Sequence, residues 1–156
     1  LDLLHELHQH SRTLLGLSDA GAHCGAICDG GMPTFMLTHW SRDRTRGPKL
    51  PLEHVVNRQT RETAHAFGLF DRGVLEPGMK ADVNVINYEN LGFEHPELVY
   101  DLPAGGRRLI QKARGYVATI CSGTVISENG VPTGALPGRL VRGSQPAPLA
   151  AELANA

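Results

Sequence analysis

The chain has 156 residues, enough for one ordinary domain or parts of two. Its 41% hydrophobic and 20% charged content suits a soluble globular protein, and a net charge of -1 excludes the basic footprint of a nucleic-acid binder and a polybasic membrane patch. No apolar stretch approaches the ~20 residues that a membrane helix needs.

The 3 cysteines are too few, and odd in number, for a disulfide framework, so a reducing, cytoplasmic compartment is the simpler setting. The chain starts at Leu1 without Met and reads as an excised or processed piece.

Leu1 to His10 has Leu1, Leu3, Leu4 and Leu7 at the spacing of a short helix with one buried face. His5, His8 and His10 resemble a metal cluster at first sight. No H-E-x-x-H pattern accompanies them, and they read as exposed histidines. Arg12 to Leu17 reads as a strand that empties into the small-residue turn Ser18-Asp19-Ala20-Gly21-Ala22-His23. A carboxylate at the end of a buried strand sits where α/β barrels keep their chemistry. Ala20, Gly21 and Ala22 leave room beside it for a ligand or a metal-bound water. Cys24 and Cys28, next to His23, offer half a zinc site at most, because a structural zinc needs four ligands.

Asp29-Gly30-Gly31 marks a loop, Pro33 opens a helix, and Met32 to Trp40 is its body. Ser41 to Pro51, with Arg42, Arg44, Arg46 and Lys49, reads as a surface loop. Its bland role is solvation and its functional role a lid attracting an anion. Leu52 to Phe67 is the best helix, with Pro51 and Glu53 at its start and Gly68 as its stop. His54 and His65 on it read as structural.

Beyond residue 70 the texture changes. Gly73, Pro77 and Gly78 turn the chain, and Ala81 to Ile86 alternates as a strand. Asn87 to Pro103 reads as loop. Val117 to Val125 is β-rich with Gly123 a candidate bulge, and Asn129-Gly130 signals a hairpin. Val131 to Val141 reads as irregular or edge structure, and the Pro- and Ala-rich tail from Gly143 as disordered.

Gly16-Leu17-Ser18-Asp19-Ala20-Gly21-Ala22-His23 resembles the last-strand motif of the amidohydrolase superfamily, in the branch of N-acyl-D-amino-acid deacylases (D-aminoacylases). The more specific run is Arg58-x-Thr60-x-x-Thr63-Ala64, continued by Phe67-Gly68-Leu69-x-Asp71-Arg72-Gly73-x-Leu75-x-Pro77-Gly78-x-x-Ala81-Asp82. It is similar to the stretch where such enzymes leave the barrel. Leu102-Pro103-Ala104-Gly105-Gly106-Arg107-Arg108 and Gly134 to Arg139 resemble the C-terminal part of that branch.

The resemblance implies an α/β plus β fold: the C-terminal end of a metal-dependent (β/α)8 barrel followed by part of a small β-sandwich. Residues 1–70 would carry the last strand and helices of the barrel, 71–143 the sandwich portion, and 144–156 the disordered tail. A closed barrel takes about 250 residues, so the rest would lie outside this chain. The implied reaction is hydrolysis of a C–N amide bond, not a peptide bond, in a small N-acylated D-amino acid.

Asp19 carries over as the catalytic carboxylate that takes a proton from the attacking water and passes it to the leaving nitrogen. It also carries over as a metal contact. His23 is a candidate substrate contact, with a structural hydrogen bond as its alternative. The implied cofactor is zinc, but the family's His-x-His pair and mid-barrel ligands are missing from this sequence. His8-Gln9-His10 only mimics that pair. The chain alone is therefore expected to lack a metal centre and turnover. Asp82 matches a family position but reads as a turn or backbone cap.

Two other readings stay open. One is a non-catalytic β-rich binding or assembly module that keeps a barrel remnant. The other is a small zinc protein using His23, Cys24 and Cys28. Either homo-oligomerisation or association with the missing barrel portion would hide the orphan helix faces.

Overall fold

A computed structural model describes residues 1–16, 18–21 and 25–148. Leu17, Ala22 to Cys24 and residues 149–156 lie outside it, and with them the expectations for His23, for the Cys24 thiol and for the end of the tail.

The helices come first. Helix α1 (Asp2–Gln9) carries Asp2 in its first turn, favourable for the helix dipole, and His8 in its last. Helix α2 (Met32–Phe35) starts with Pro33 in the first turn and runs on as a π-helix, Met36–Asp43. The widening has local causes. The Thr38 and Ser41 hydroxyls bond back to the carbonyls of Thr34 and Leu37, and the Arg44 N–H reaches five residues back to His39.

The expected helix over Leu52 to Phe67 forms as two, α3 (Leu52–Gln59) and α4 (Arg61–Ala66). Thr60 separates them at φ -117 and ψ -88, its hydroxyl bonded to the Val56 carbonyl at 2.8 Å. Helix α4 ends in paired bonds, Gly68 N–H to His65 O and Leu69 N–H to Ala64 O, each at 2.9 Å. Gly68 is the stop that the sequence suggests.

The strands follow. β1 (Val83–Ile86), β6 (Tyr116–Cys121), β7 (Thr124–Glu128) and β8 (Val131–Pro132) form an antiparallel sheet in the order β1-β6-β7-β8. Two small antiparallel ladders sit beside it in chain order. β2 (Gly92–Phe93) pairs with β5 (Ala113–Arg114), and β3 (Glu97–Leu102) with β4 (Gly106–Ile110). The turn Asn129-Gly130 has both φ values positive, 48 and 80, and joins β7 to β8 as expected of that pair. Gly123 is not a bulge. It shares a turn with Ser122, and the register slips instead between Thr119 and Ile120.

Three expectations are corrected. Residues 12–16 form no strand, because no partner strand lies alongside and the Thr13 carbonyl is taken by the Arg58 guanidinium. The segment 87–103 is not loop throughout, since β2 and β3 lie within it. The tail is tied down at Gln145, which bridges Leu69 and exchanges backbone bonds with Gly68 and Phe70. That bridge is the only parallel pairing among the described residues, so they show helices and antiparallel ladders.

The core is Met36, Trp40, Leu50 and Val55, with Leu15, Phe35 and Leu37 packed on it. Hydroxyl pairs stitch the helices to β6 and to the turn after β1: Thr34 with Tyr116 at 2.8 Å and Ser41 with Tyr88 at 2.7 Å.

Candidate functional site

Asp19 lies in an exposed loop between α1 and α2. The loop is closed behind it, because the Asp19 carbonyl accepts the Asp29 N–H at 3.0 Å and the Asp29 carbonyl accepts the Met32 N–H at 3.0 Å. These bonds leave the Asp19 carboxylate in solvent at the mouth of a short loop that feeds α2. Ser18 and Cys28 are half-buried, and Cys28 is a free thiol. Small residues do meet here: a Cβ on Gly30 would lie 3.7 Å from that of Ala20.

At its far end the loop touches the strands. Gly31 packs against Gln111 and Phe93, which line an open cleft of about 480 Å³ with Glu94, His95, Pro96 and Arg114. Gln111 is fixed there by donating to the Glu94 carbonyl at 2.9 Å. The sequence reading missed these residues because Pro96 and the charges around it disguise β2 and β3. The apolar pairs Leu98-Val99 and Leu109-Ile110 are the signal that was present. Asp19 is not among the residues lining this cleft.

The other candidates have structural partners. His8 and His10 diverge: the His8 ring meets Trp40 edge-on at 4.7 Å, while the exposed His10 accepts the Arg12 N–H at 3.1 Å. His5 and His8 are therefore half-buried against Trp40, not exposed as their polarity suggests. His54 lies 3.0 Å from the His8 carbonyl, and His65 packs on Phe70.

The basic segment after Trp40 is not a lid. Arg42 clasps the Tyr88 and Leu91 carbonyls and pairs with Asp43, which holds the Asp43 carboxyl below its usual range. Arg44 is 3% exposed, stacked on Trp40 and paired with Asp2 at 2.8 Å. The Lys49 ammonium donates to the Arg42 carbonyl.

Asp82 accepts the Ser122 N–H at 2.8 Å and faces Arg72 at 3.5 Å. Its work is a backbone contact at the β6–β7 turn. The Arg72 guanidinium also grips Asp71, and that hydrogen bond, against the opposing effect of burial, lowers the Asp71 carboxyl.

Among the described residues no three His, Cys, Asp or Glu side chains converge to hold a metal ion. Asp19 supplies a single carboxylate to any ion, and zinc sites need three or four protein ligands. The described residues do not fit a metal centre. No described helix is long and apolar enough to cross a membrane.

The sequence matches the model of a family described as the amidohydrolase family over residues 2–127, a span that includes Asp19 and every strand up to β7. No curated protein and no solved structure matches the chain.

Proposed function

The chain belongs to the amidohydrolase family, and from that premise we propose that it forms the C-terminal corner of an enzyme that hydrolyses C–N amide bonds other than peptide bonds. A hydrolase kind of function follows from the family itself, and such families imply a barrel-type fold. The substrate class we assign is the N-acylated D-amino acids. That finer reading is supported by the resemblance of Ser18 to His23 and of Arg58 to Asp82 to the deacylase branch.

The single observation that carries the reading is that the family match spans Asp19, whose carboxylate stands in solvent on a loop fixed from behind by backbone bonds. An ionised carboxylate in that position acts as a proton carrier. As water oxygen bonds to the acyl carbon, Asp19 takes the proton that the water loses. As the C–N bond breaks, it returns that proton to the amine nitrogen. The products are a free carboxylic acid and a free amino acid, and Asp19 ends in its starting state. His23 contacts the substrate in this account.

The family generally uses metals, and zinc is the ion we infer. Its ligands lie beyond the residues described here, since Asp19 alone cannot hold it. Association with the remaining barrel portion, or with further copies, completes the site, and the chain by itself is inactive. We place residues 1–70 at the barrel end, 71–143 in the sandwich portion, and the complete protein in the cytoplasm.

A second reading is a non-catalytic assembly module. It is favoured by one feature, the outward leucines of α1, with Leu3 at 68% and Leu7 at 43% exposure.

The substrate assignment is tested by incubating the complete protein with N-acetyl-D-amino acids, their L enantiomers and dipeptides. Release of acetate from the D series alone is expected. Equal turnover of the L series or cleavage of peptides would overturn the substrate class, and no amide hydrolysis at all would favour the assembly module.

A further inference from the structure

Trp40 is 2% exposed, yet ionisable side chains from several elements surround its indole. From α1, His8 meets it edge-on at 4.7 Å and His5 lies at 6.3 Å. From its own π-helix, His39 stands at 88° with centroids 5.3 Å apart. The Arg44 guanidinium sits 4.6 Å from the ring centroid and pairs with Asp2. From α3, His54 reaches the His8 carbonyl, and Arg58, paired with Glu62 of α4, adds its charge to the surroundings of His8. Glu6 and Arg46 line the open cleft beside Arg44.

Helix α1 is thus docked by its histidine and aspartate side, while Leu3, Leu4 and Leu7 face outward. That inverts the usual burial of an amphipathic helix. What holds the helix is ring packing by imidazoles together with one carboxylate–guanidinium pair. Two of the imidazoles carry a strained hydrogen-bond account. Nε2 of His5 and Nε2 of His39 are buried with no partner, and Nδ1 of His5 faces the Gln9 amide nitrogen at 2.9 Å.

We propose that the imidazole box around Trp40 is a pH-sensitive latch, in which neutral His8, packed edge-on against the indole, holds α1 in place and its protonation releases it. The charges already in the box point the same way. Arg44 and Arg58 have carboxylate partners in Asp2 and Glu62, so each added proton is an unpaired positive charge beside two guanidinium groups. Burial, then Arg58, His5 and His54, hold the His8 imidazole below its ordinary value. Released, His8 returns to the ordinary value near 6.5 and binds its proton more readily. The docked state is therefore at full strength above about pH 6.5 and weakens as the pH falls through the lowered docked value.

Trp40 is the single tryptophan, so its emission wavelength reports on this box. The full chain is titrated from about pH 7.5 to about pH 4.5 at constant ionic strength, with far-UV circular dichroism alongside. A reversible red shift with a midpoint below about 6.5 is expected, while most of the secondary structure persists. In His8→Phe the shift is expected to vanish.

Hydrogen exchange on the unmodified chain keeps the test independent of that variant's folding. Amides of Asp2–Gln9 are expected to lose protection in acid before those of α3 and β6. A constant emission wavelength, an unchanged transition in a folded variant, or loss of α1 and β6 protection in one step would each overturn the latch. None of these results depends on whether the protein hydrolyses amides.

Discussion

Gly115 sits at φ +90, and a Cβ there would lie 2.7 Å from the Leu91 Cα and 3.0 Å from the Asn87 carbonyl oxygen. The contact is backbone against backbone, so no side chain can yield. Gly115→Ala is expected to cost about 2 kcal/mol or more, combining left-handed strain with the clash. Urea denaturation checks it, and an unchanged midpoint would contradict the geometry. The tight approach also explains why Leu91 is buried, since the turn at Tyr88 folds directly onto this glycine.

At the same scale Arg44 and Asp82 teach opposite lessons. Asp82 reads from sequence as a backbone cap, because a short carboxylate at a turn has few other uses. Arg44 reads as solvated, because a run of cations between Gly47 and Trp40 gives no hint that one guanidinium will lie flat on an indole. Burial of a charge depends on a partner far away in sequence, here Asp2, and spacing does not reveal it.

Among the elements, Arg58 ties residues 10–16 to α3, beside the packing of Leu15 on the core. Arg58 on α3 donates to the Thr13 carbonyl and hydroxyl and pairs with Glu62 at 2.8 Å. Arg58→Ala removes the charged partner of the half-buried Glu62, which keeps only the Asn57 amide, and leaves the Thr13 carbonyl without its guanidinium donor. A loss of about 2–3 kcal/mol is expected, the range for hydrogen bonds to charged groups. Thermal unfolding measures it, and a loss no larger than that of an exposed surface substitution would contradict the assignment.

Helices and hairpins with local signals were legible: Pro33 and Gly68 mark ends, and Asn129-Gly130 sets a turn. The apolar run Leu14 to Leu17 carries the composition of a strand, but a strand exists only where another backbone meets it. Conversely β3 is mostly exposed and its partner β4 half-buried, with Asp101 and Arg108 bridged across the ladder at 2.7 Å. The polarity of β3 reads as loop because neither of its faces is buried enough to impose alternation.

For the whole molecule the decisive quantity is surface. The chain exposes 10676 Å² at 16.8 kDa, whereas a compact monomer of that mass exposes about 7,600 Å². Only five apolar side chains are buried among the described residues: Met36, Trp40, Leu50, Val55 and Leu91. The excess is well above the ~800 Å² per partner of a standard protein interface. The chain is therefore expected to self-associate or bind an apolar partner through the α1 leucines. Leu3→Glu/Leu7→Glu is expected to lower the mass measured by light scattering. A wild-type chain that stays monomeric at all concentrations would contradict this.

The proposed hydrolysis turns on the Asp19 carboxylate. Asp19→Asn keeps the shape and removes the basic oxygen, so the direct measurement is kcat of the complete protein on an N-acyl-D-amino acid, with metal content and circular dichroism followed in parallel. A fall of about 10²-fold or more, the usual loss when a general acid–base group is removed, at unchanged metal content and fold is the predicted result. Undiminished turnover by the variant would contradict it.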